Sequence, residues 1–237
     1  MGSNAKRDLL LAAVIGAACV AGCATKPAVP GAADRSGTEV KVEGLQWLPP
    51  GTVFVLHDKR SGTYGHYDFT VGKPQGFDET QVWTQSEREW KGVKAIALSS
   101  PQMGTLIYSA SDGGLLAIVD TGGKKIGSYD PPITYEWPLK VGKAWTSKVA
   151  LTWMTEANTM PLEVHFRVEA FEEVTVAAGT FRAFRIVSVD SLGEVRTAWA
   201  RPDLGLWCIK RVLDRSSSYP YGAGHEEDEL VSVTPPK

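Results

Sequence analysis

From Leu45 onward, apolar and polar positions alternate with a period of two, as they do in β-strands. Val164, Phe166 and Val168 are separated by charged or polar residues, which predicts a strand with one buried and one solvated face. Helical periodicity is almost absent. We expect strands near 52–57, 64–71, 80–85, 92–98, 105–110, 115–119, 126–129, 145–153, 163–169, 172–176, 181–189, 194–200 and 206–213.

Turns rich in glycine join several of these strands. Ser111-Asp112-Gly113-Gly114 predicts a hairpin between 105–110 and 115–119, because Asp-Gly is a strong hairpin signal. A second turn, 121–124, leads into 126–129. The first two strands are apolar on both faces, so we expect the sheet to be covered on both sides there. Short strands with this punctuation favour one antiparallel β-sandwich or an open, curved β-barrel.

The N-terminus has a different pattern. Lys6-Arg7 precedes an apolar stretch, Leu9 to Val20, which is too short to span a bilayer. Val20-Ala21-Gly22-Cys23 follows. This order predicts a bacterial lipoprotein signal peptide over residues 1–22, with lipid attached to Cys23. The alternatives are an ordinary cleaved signal peptide and a cysteine that stands at this position by coincidence.

Residues 24–44 contain proline and glycine without periodicity, so we expect 23–44 to form a lipidated, flexible tether. A single β domain, 45–237, would follow it. The lipid is the membrane contact that the sequence implies, because a second long apolar run is absent. Ala24 is not the aspartate that commonly retains lipoproteins in the inner membrane, which favours the periplasmic face of an outer membrane.

Three segments in the second half of the chain occur in a familiar order. They are Pro138-Leu139-Lys140-Val141-Gly142-Lys143-Ala144-Trp145, Val174-Thr175-Val176-Ala177-Ala178-Gly179-Thr180-Phe181 and Trp199-Ala200-Arg201-Pro202-Asp203-Leu204-Gly205-Leu206. The chain resembles a family of uncharacterised bacterial exported and lipoprotein β-domains with PLxVGKxW, VPAGTF-like and WxxPxxGxVK-like segments. The resemblance implies a curved antiparallel sheet or barrel and brings no reaction or catalytic residues. Ala177 replaces the usual proline, and 207–210 differs from the usual Val-Lys.

Composition and motifs narrow the classes of function. The net charge of −2 excludes the basic footprint of a nucleic-acid-binding protein. Nucleophile-elbow, zinc-protease and phosphate-loop motifs are absent, so we expect a protein without cofactors and favour a non-enzymatic role, with an unfamiliar active site left open. Of the three cysteines, Cys208 would be alone after processing. Its apolar neighbours predict a buried, unreactive thiol.

A metal site is one candidate for chemistry. If Ser61-Gly62 forms a turn, His57 lies opposite His66, and Asp68 shares their face. Two imidazoles and a carboxylate in this arrangement are able to bind zinc or another divalent metal. The alternative is a solvated face, because Phe54 and Leu56 would occupy the core side of the same strand.

Two further patterns have structural alternatives. Trp83, Trp90, Trp137 and Trp153 are candidates for a sugar-stacking surface, although a β-rich core also needs aromatic volume. The acidic run from His225 to Glu229 is typical of a solvated edge or tail, with 230–233 as a last edge strand.

Two functional classes remain. We favour an interaction or scaffold module, which docks another envelope protein through an edge strand or an aromatic rim. The alternative is a carrier of lipid or another hydrophobic small molecule, bound in a cavity of the curved sheet. Leu106, Tyr108 and Ile118 would then line that cavity.

Overall fold

The alternating segments form β-strands along most of the chain. The computed structural model describes residues 40–62, 77–153, 155–219 and 222–237. The strands are β1 (Lys41–Val42), β2 (Val53–Gly62), β3 (Phe77–Trp90), β4 (Val93–Ser100), β5 (Gly104–Ser109), β6 (Leu115–Val119), β7 (Lys125–Asp130), β8 (Leu139–Lys140), β9 (Ala144–Trp153), β10 (Thr155–Val176), β11 (Gly179–Asp190), β12 (Glu194–Arg201), β13 (Leu206–Arg215) and β14 (Gly224–Thr234). A 3₁₀ turn, Pro202–Leu204, precedes β13. Within these ranges, no helix has the length and apolar character needed to cross a membrane.

Twelve of the described strands form one closed antiparallel barrel. Their order is β10-β11-β12-β13-β14-β2-β3-β4-β5-β6-β7-β9, and β9 pairs with β10 to complete the ring. The all-β class is therefore as the sequence predicts. The barrel is closed rather than open, because β2 pairs with β14. β1 and β8 pair with each other in a separate two-stranded sheet.

The two glycine-containing turns that the sequence predicts, 111–114 and 121–124, both connect paired strands. β5 and β6 form the hairpin across 111–114, with Thr105 opposite Val119. The Gly114 amide donates to Oδ1 of Asp112 at 2.9 Å, which closes the turn. β6 and β7 are likewise joined across 121–124.

The three segments that carry the family resemblance lie largely at turns and strand ends. Gly179 begins β11 with φ +131° and pairs with Val176, so a glycine is needed at this tight connection. Gly205 adopts φ +70° and donates its amide to the Pro202 carbonyl at 3.2 Å. Trp145 is buried near the start of β9. These residues shape the barrel.

The folded part begins earlier than the sequence predicts. β1 lies inside the range expected to be a tether, and Val42 is buried with Leu139 of β8. Val42 gains this packing partner almost 100 positions away, so β1 packs with the folded part although it lies within the range predicted as a tether. The predicted signal peptide, Cys23 and Ala24 lie outside the described residues.

The sheet is covered on both faces at β4 to β6, as the sequence predicts. Leu106 lies on the lumen side with Leu98 and Ile118. On the other face, Ile107 and Ala117 are fully buried together with Ala95 and Val119. Both faces of these strands are therefore packed.

Candidate functional site

The barrel lumen contains a cavity of about 210 Å³ that is partly open to solvent. The interior of an eight-stranded barrel is just wide enough to be filled by its own side chains. A barrel of twelve strands is wider and leaves space inside. Three apolar clusters occupy much of that space. The cavity lies where they meet, with Leu162, Ile186 and Trp207 contributed from the three sides.

One wall of the cavity is apolar and aromatic. β10 contributes Leu162, Val164 and Phe166, and β11 contributes Ile186. The side chains alternate along each strand, so these residues share the lumen face. Such a wall favours the apolar part of a small molecule.

Two connecting segments complete the enclosure. We call residues 45–48 the strap. Trp47 of the strap donates from Nε1 to the Ala110 carbonyl at 3.1 Å, and its ring lies 5.9 Å from that of Tyr108. The second segment contains Ile133, whose carbonyl accepts the Leu115 amide at 3.1 Å. Leu45 and Trp47 thus line the cavity although they lie outside the barrel strands.

The adjoining wall is polar and includes Arg196 of β12 and Arg211 of β13. Nη2 of Arg196 donates to Oε1 of Glu194 at 2.8 Å. Arg215 holds the other oxygen of Glu194, Oε2, through Nε at 2.9 Å and Nη2 at 2.7 Å. Glu194 is therefore paired with two cations at once.

Behind Arg211 lies a buried charged cluster, which we define as Asp58, Arg60, Arg211, Glu226 and Asp228. Nε of Arg211 donates to Oδ2 of Asp228 at 2.7 Å, and its Nη2 donates to Glu226. Nε of Arg60 donates to Oδ1 of Asp58 at 2.9 Å and lies 3.5 Å from Oε2 of Glu226. The cluster joins β2, β13 and β14.

Burial and charge give the three carboxyl groups of the cluster different proton affinities. Burial raises the pKa of Asp228 to about 8, although Arg211 opposes the change. Burial also acts to raise the pKa of Glu226, but Arg211, Arg60 and a hydrogen bond from Asp228 outweigh it and lower the value to about 2. Burial raises the pKa of Asp58.

The three carboxyl groups of the cluster are close enough together to suggest a metal site, with one oxygen of each within 4.8 Å of the others. The two guanidinium groups already supply the positive charge that a cation would bring. We therefore interpret the cluster as a salt-bridge network.

The three residues predicted to line a hydrophobic cavity have different positions. Tyr108 lines the cavity. Leu106 packs against two of the apolar clusters, and Ile118 is buried within one of them. The cavity wall does not include Leu106 or Ile118, because much of the wall is formed by β10, β11 and β12.

The hairpin on which the metal prediction depends is wrong. β2 continues through Gly62, and His57 lies opposite Thr80 of β3 and Glu229 of β14. Both sides of β2 at His57 are therefore occupied by other strands. Nε2 of His57 contacts Oδ1 of Asp78 at 2.6 Å on the outer face. His66 and Asp68 lie outside the described residues.

Cys208 was predicted to be a buried, unreactive thiol, and it also lines the cavity. It is buried, and burial raises the pKa of its thiol to about 12. The thiolate that would act as a nucleophile is therefore disfavoured.

The aromatic sugar-binding alternative is not supported by two of its four residues. Trp83 and Trp153 are buried in separate clusters of the core. They supply packing mass rather than a shared exposed surface.

The main residues that the sequence analysis missed are Glu226 and Asp228. Their acidic run is a central strand of the barrel rather than a solvated tail, with Glu226 and Asp228 inside and Glu227 and Glu229 outside. The signal was the alternation itself, which continues from Asp228 into the buried Leu230.

No protein-family model and no curated protein matches the chain. Three solved structures are similar in fold. A protein from Bacteroides fragilis described as exported, with a YmcC-like fold, has a TM-score of 0.44 and 10% identity over 81% of this chain and 99% of its own. A protein from Parabacteroides distasonis described as a lipoprotein has a TM-score of 0.37 and 9% identity over 81% and 99%. The hypothetical lipoprotein YmcC from Escherichia coli has a TM-score of 0.39 and 13% identity over 80% and 87%.

Proposed function

We propose that this protein is a lipoprotein of the bacterial cell envelope whose barrel binds a small amphipathic molecule. The cavity in the lumen is the observation that carries the proposal. An apolar cavity of about 150 Å³ is large enough for benzene, so about 210 Å³ accommodates a substituted ring or a short chain. The aromatic and aliphatic wall would contact the body of such a molecule.

The N-terminal sequence supports the location in the envelope. A positive segment, an apolar stretch and Val20-Ala21-Gly22-Cys23 occur in the order of a lipoprotein signal. With Ala24 after the cysteine, we propose attachment to the periplasmic face of an outer membrane. The lipid on Cys23 would hold the barrel near that surface.

The interaction module favoured by the sequence analysis has less support. Its simplest form adds a partner's strand to a sheet edge. In the described barrel, every strand is hydrogen-bonded to a neighbour on each side, so such an edge is not offered by these strands.

A cavity-filling substitution tests the proposed function. Ala198 lines the cavity from β12. We expect Ala198→Phe to place a ring in the space that the ligand uses. Native mass spectrometry of the full chain, purified from membranes in detergent, should show an extra non-covalent mass in the wild type that is lost on denaturation. The extra mass should be absent or strongly reduced in the variant.

Thr197→Phe is the matched control. Thr197 is next in the chain, lies opposite Val187 and Val212, and projects from the outer face of the same strand. This variant should keep the extra mass. A wild type without any bound mass, or equal binding in both variants, would contradict a ligand in this cavity.

A further inference from the structure

On the polar wall, Arg196 and Arg211 are more exposed than the carboxylates with which they pair. The side chain of Arg211 is 27% exposed, whereas those of its partners Glu226 and Asp228 are each 2% exposed. The side chain of Arg196 is 36% exposed and that of Glu194 is 9% exposed. Glu226 and Asp228 thus lie behind the Arg211 guanidinium group, and Glu194, which also lines the cavity, is neutralised by Arg196 and Arg215.

The other polar groups near this wall also favour a negative ligand. Burial raises the pKa of the Tyr108 and Tyr135 hydroxyls to about 12, so both stay protonated and are able to donate hydrogen bonds. Asp190 is the remaining acid on the wall. Its Oδ1 already accepts the backbone amides of Leu192 at 3.0 Å and Glu194 at 2.8 Å.

We propose that the cavity selects a small organic anion, with a carboxylate or a similar oxyanion attached to one ring or a short chain. This inference rests on the proposed function and specifies its ligand class. The oxyanion lies toward Arg196 and Arg211, where charge-assisted hydrogen bonds are strongest. The apolar part contacts Val164, Phe166 and Ile186 on the adjoining strands β10 and β11.

Two probes of nearly equal shape test the selection. Benzoate and benzamide share a ring and differ in charge, and both are small enough for the cavity. Isothermal titration of the full-length protein should show benzoate binding about tenfold or more tightly than benzamide, because only benzoate forms charge-assisted bonds with the arginines. Added salt should weaken benzoate binding more than benzamide binding.

Arg196→Gln tests whether this arginine is responsible for the preference for benzoate. This substitution removes one cavity-facing charge, while Glu194 keeps its two bonds to Arg215, so the barrel should stay folded. We expect benzoate affinity to fall about tenfold, with little change for benzamide. Arg88→Gln is the control, because Arg88 is exposed on β3 and does not line the cavity. This variant should bind both probes as the wild type does.

The outcomes separate the two proposals. If both probes bind with equal affinity and Ala198→Phe abolishes binding, the cavity binds ligands but anion selection is wrong. If benzoate is preferred but Arg196→Gln has no effect, the assignment to this wall is wrong. If neither probe binds at millimolar concentration, the anion proposal fails, and the native mass measurement alone then decides the proposed function.

Discussion

Three carboxyl groups share two guanidinium groups in the buried charged cluster. Asp58, Glu226 and Asp228 would carry three negative charges against the two positive charges of Arg60 and Arg211. An unbalanced charge in such a site is unfavourable. One carboxyl group therefore keeps its proton at pH 7, and Asp228, with its pKa near 8, is that group.

This proton makes stability depend on pH. The pKa of Asp228 is about 8 in the folded protein, above the ordinary value of 3.8. Its contribution to the free energy of unfolding is therefore complete below about pH 4 and is lost as the pH rises to about 8. We expect Asp228→Asn to reduce the decline in stability between about pH 5 and pH 8, because an amide donates a hydrogen bond without titrating.

Urea unfolding, followed by tryptophan fluorescence over this pH range, measures the effect. Glu229→Gln is the control on the same strand, since Glu229 lies on the outer face with Lys210. It should leave the pH dependence unchanged. An Asp228→Asn protein as sensitive to pH as the wild type would show that the proton resides elsewhere.

At the scale of elements, the sequence predicted hairpins where the turn residues act locally. The turn 111–114 contains its own hydrogen-bond acceptor, Asp112, so its signal lies within a few residues. The turn proposed at Ser61-Gly62 had no such feature. β2 continues there because its pairing with β3 and β14 determines the register, and pairing between distant strands leaves no local mark.

The same limit applies to the site. Tyr108 was identified from an apolar strand, but Arg196, Arg211, Glu226 and Asp228 were not. Each of these charged residues is typical of a solvated surface when it is considered alone. They face the lumen because β12, β13 and β14 bring opposite charges together there. The sequence pattern therefore predicted the strands better than the contents of the lumen.

Two glycines at strand connections provide a stability test. Gly104 and Gly123 both adopt φ +85°, but a Cβ at Gly104 would lie 2.2 Å from the Val119 carbonyl oxygen, whereas nothing lies within 4 Å at Gly123. We expect Gly123→Ala to cost about 1–2 kcal/mol from backbone strain. Gly104→Ala should cost about 2 kcal/mol more, because the backbone of β6 blocks the methyl group.

Thermal and urea unfolding of the two alanine variants would measure this difference. The shared φ value makes Gly123→Ala a direct control for strain. Equal losses of stability would mean that the contact with Val119 is relieved by a small movement and that the β4–β5 connection is not tightly constrained.

At the scale of the whole molecule, the pairing of β2 with β14, which we call the seam, closes the barrel. β2 and β14 pair along most of their length, and His57 lies opposite Glu229. Opposite residues of antiparallel strands have Cα atoms about 4.5–5.5 Å apart, which is compatible with a disulfide. A seam crosslink, His57→Cys with Glu229→Cys, would therefore join positions that are far apart in the chain.

The seam crosslink should stabilise the barrel more than a local one does. It closes a loop of about 170 residues, for which chain entropy gives about 5 kcal/mol, whereas a loop of about six residues gives about 2 kcal/mol. Thr175→Cys with Thr180→Cys supplies the short loop, since these residues are opposite each other in β10 and β11. Urea unfolding of each oxidised variant against its reduced form measures the gains. Equal gains would contradict the entropic argument.

The seam also determines when the fold becomes complete. β14 follows every other barrel strand in the chain, yet it supplies the neighbour of both β13 and β2 and the acids that hold Arg60 and Arg211. Under the proposed export, the chain crosses the membrane N-terminus first and folds on the far side. The sheet therefore stays open, and Arg211 is without Glu226 and Asp228, until β14 arrives. The cavity is then enclosed by a complete barrel only when this last strand has paired, and the earlier strands form an incomplete sheet until then.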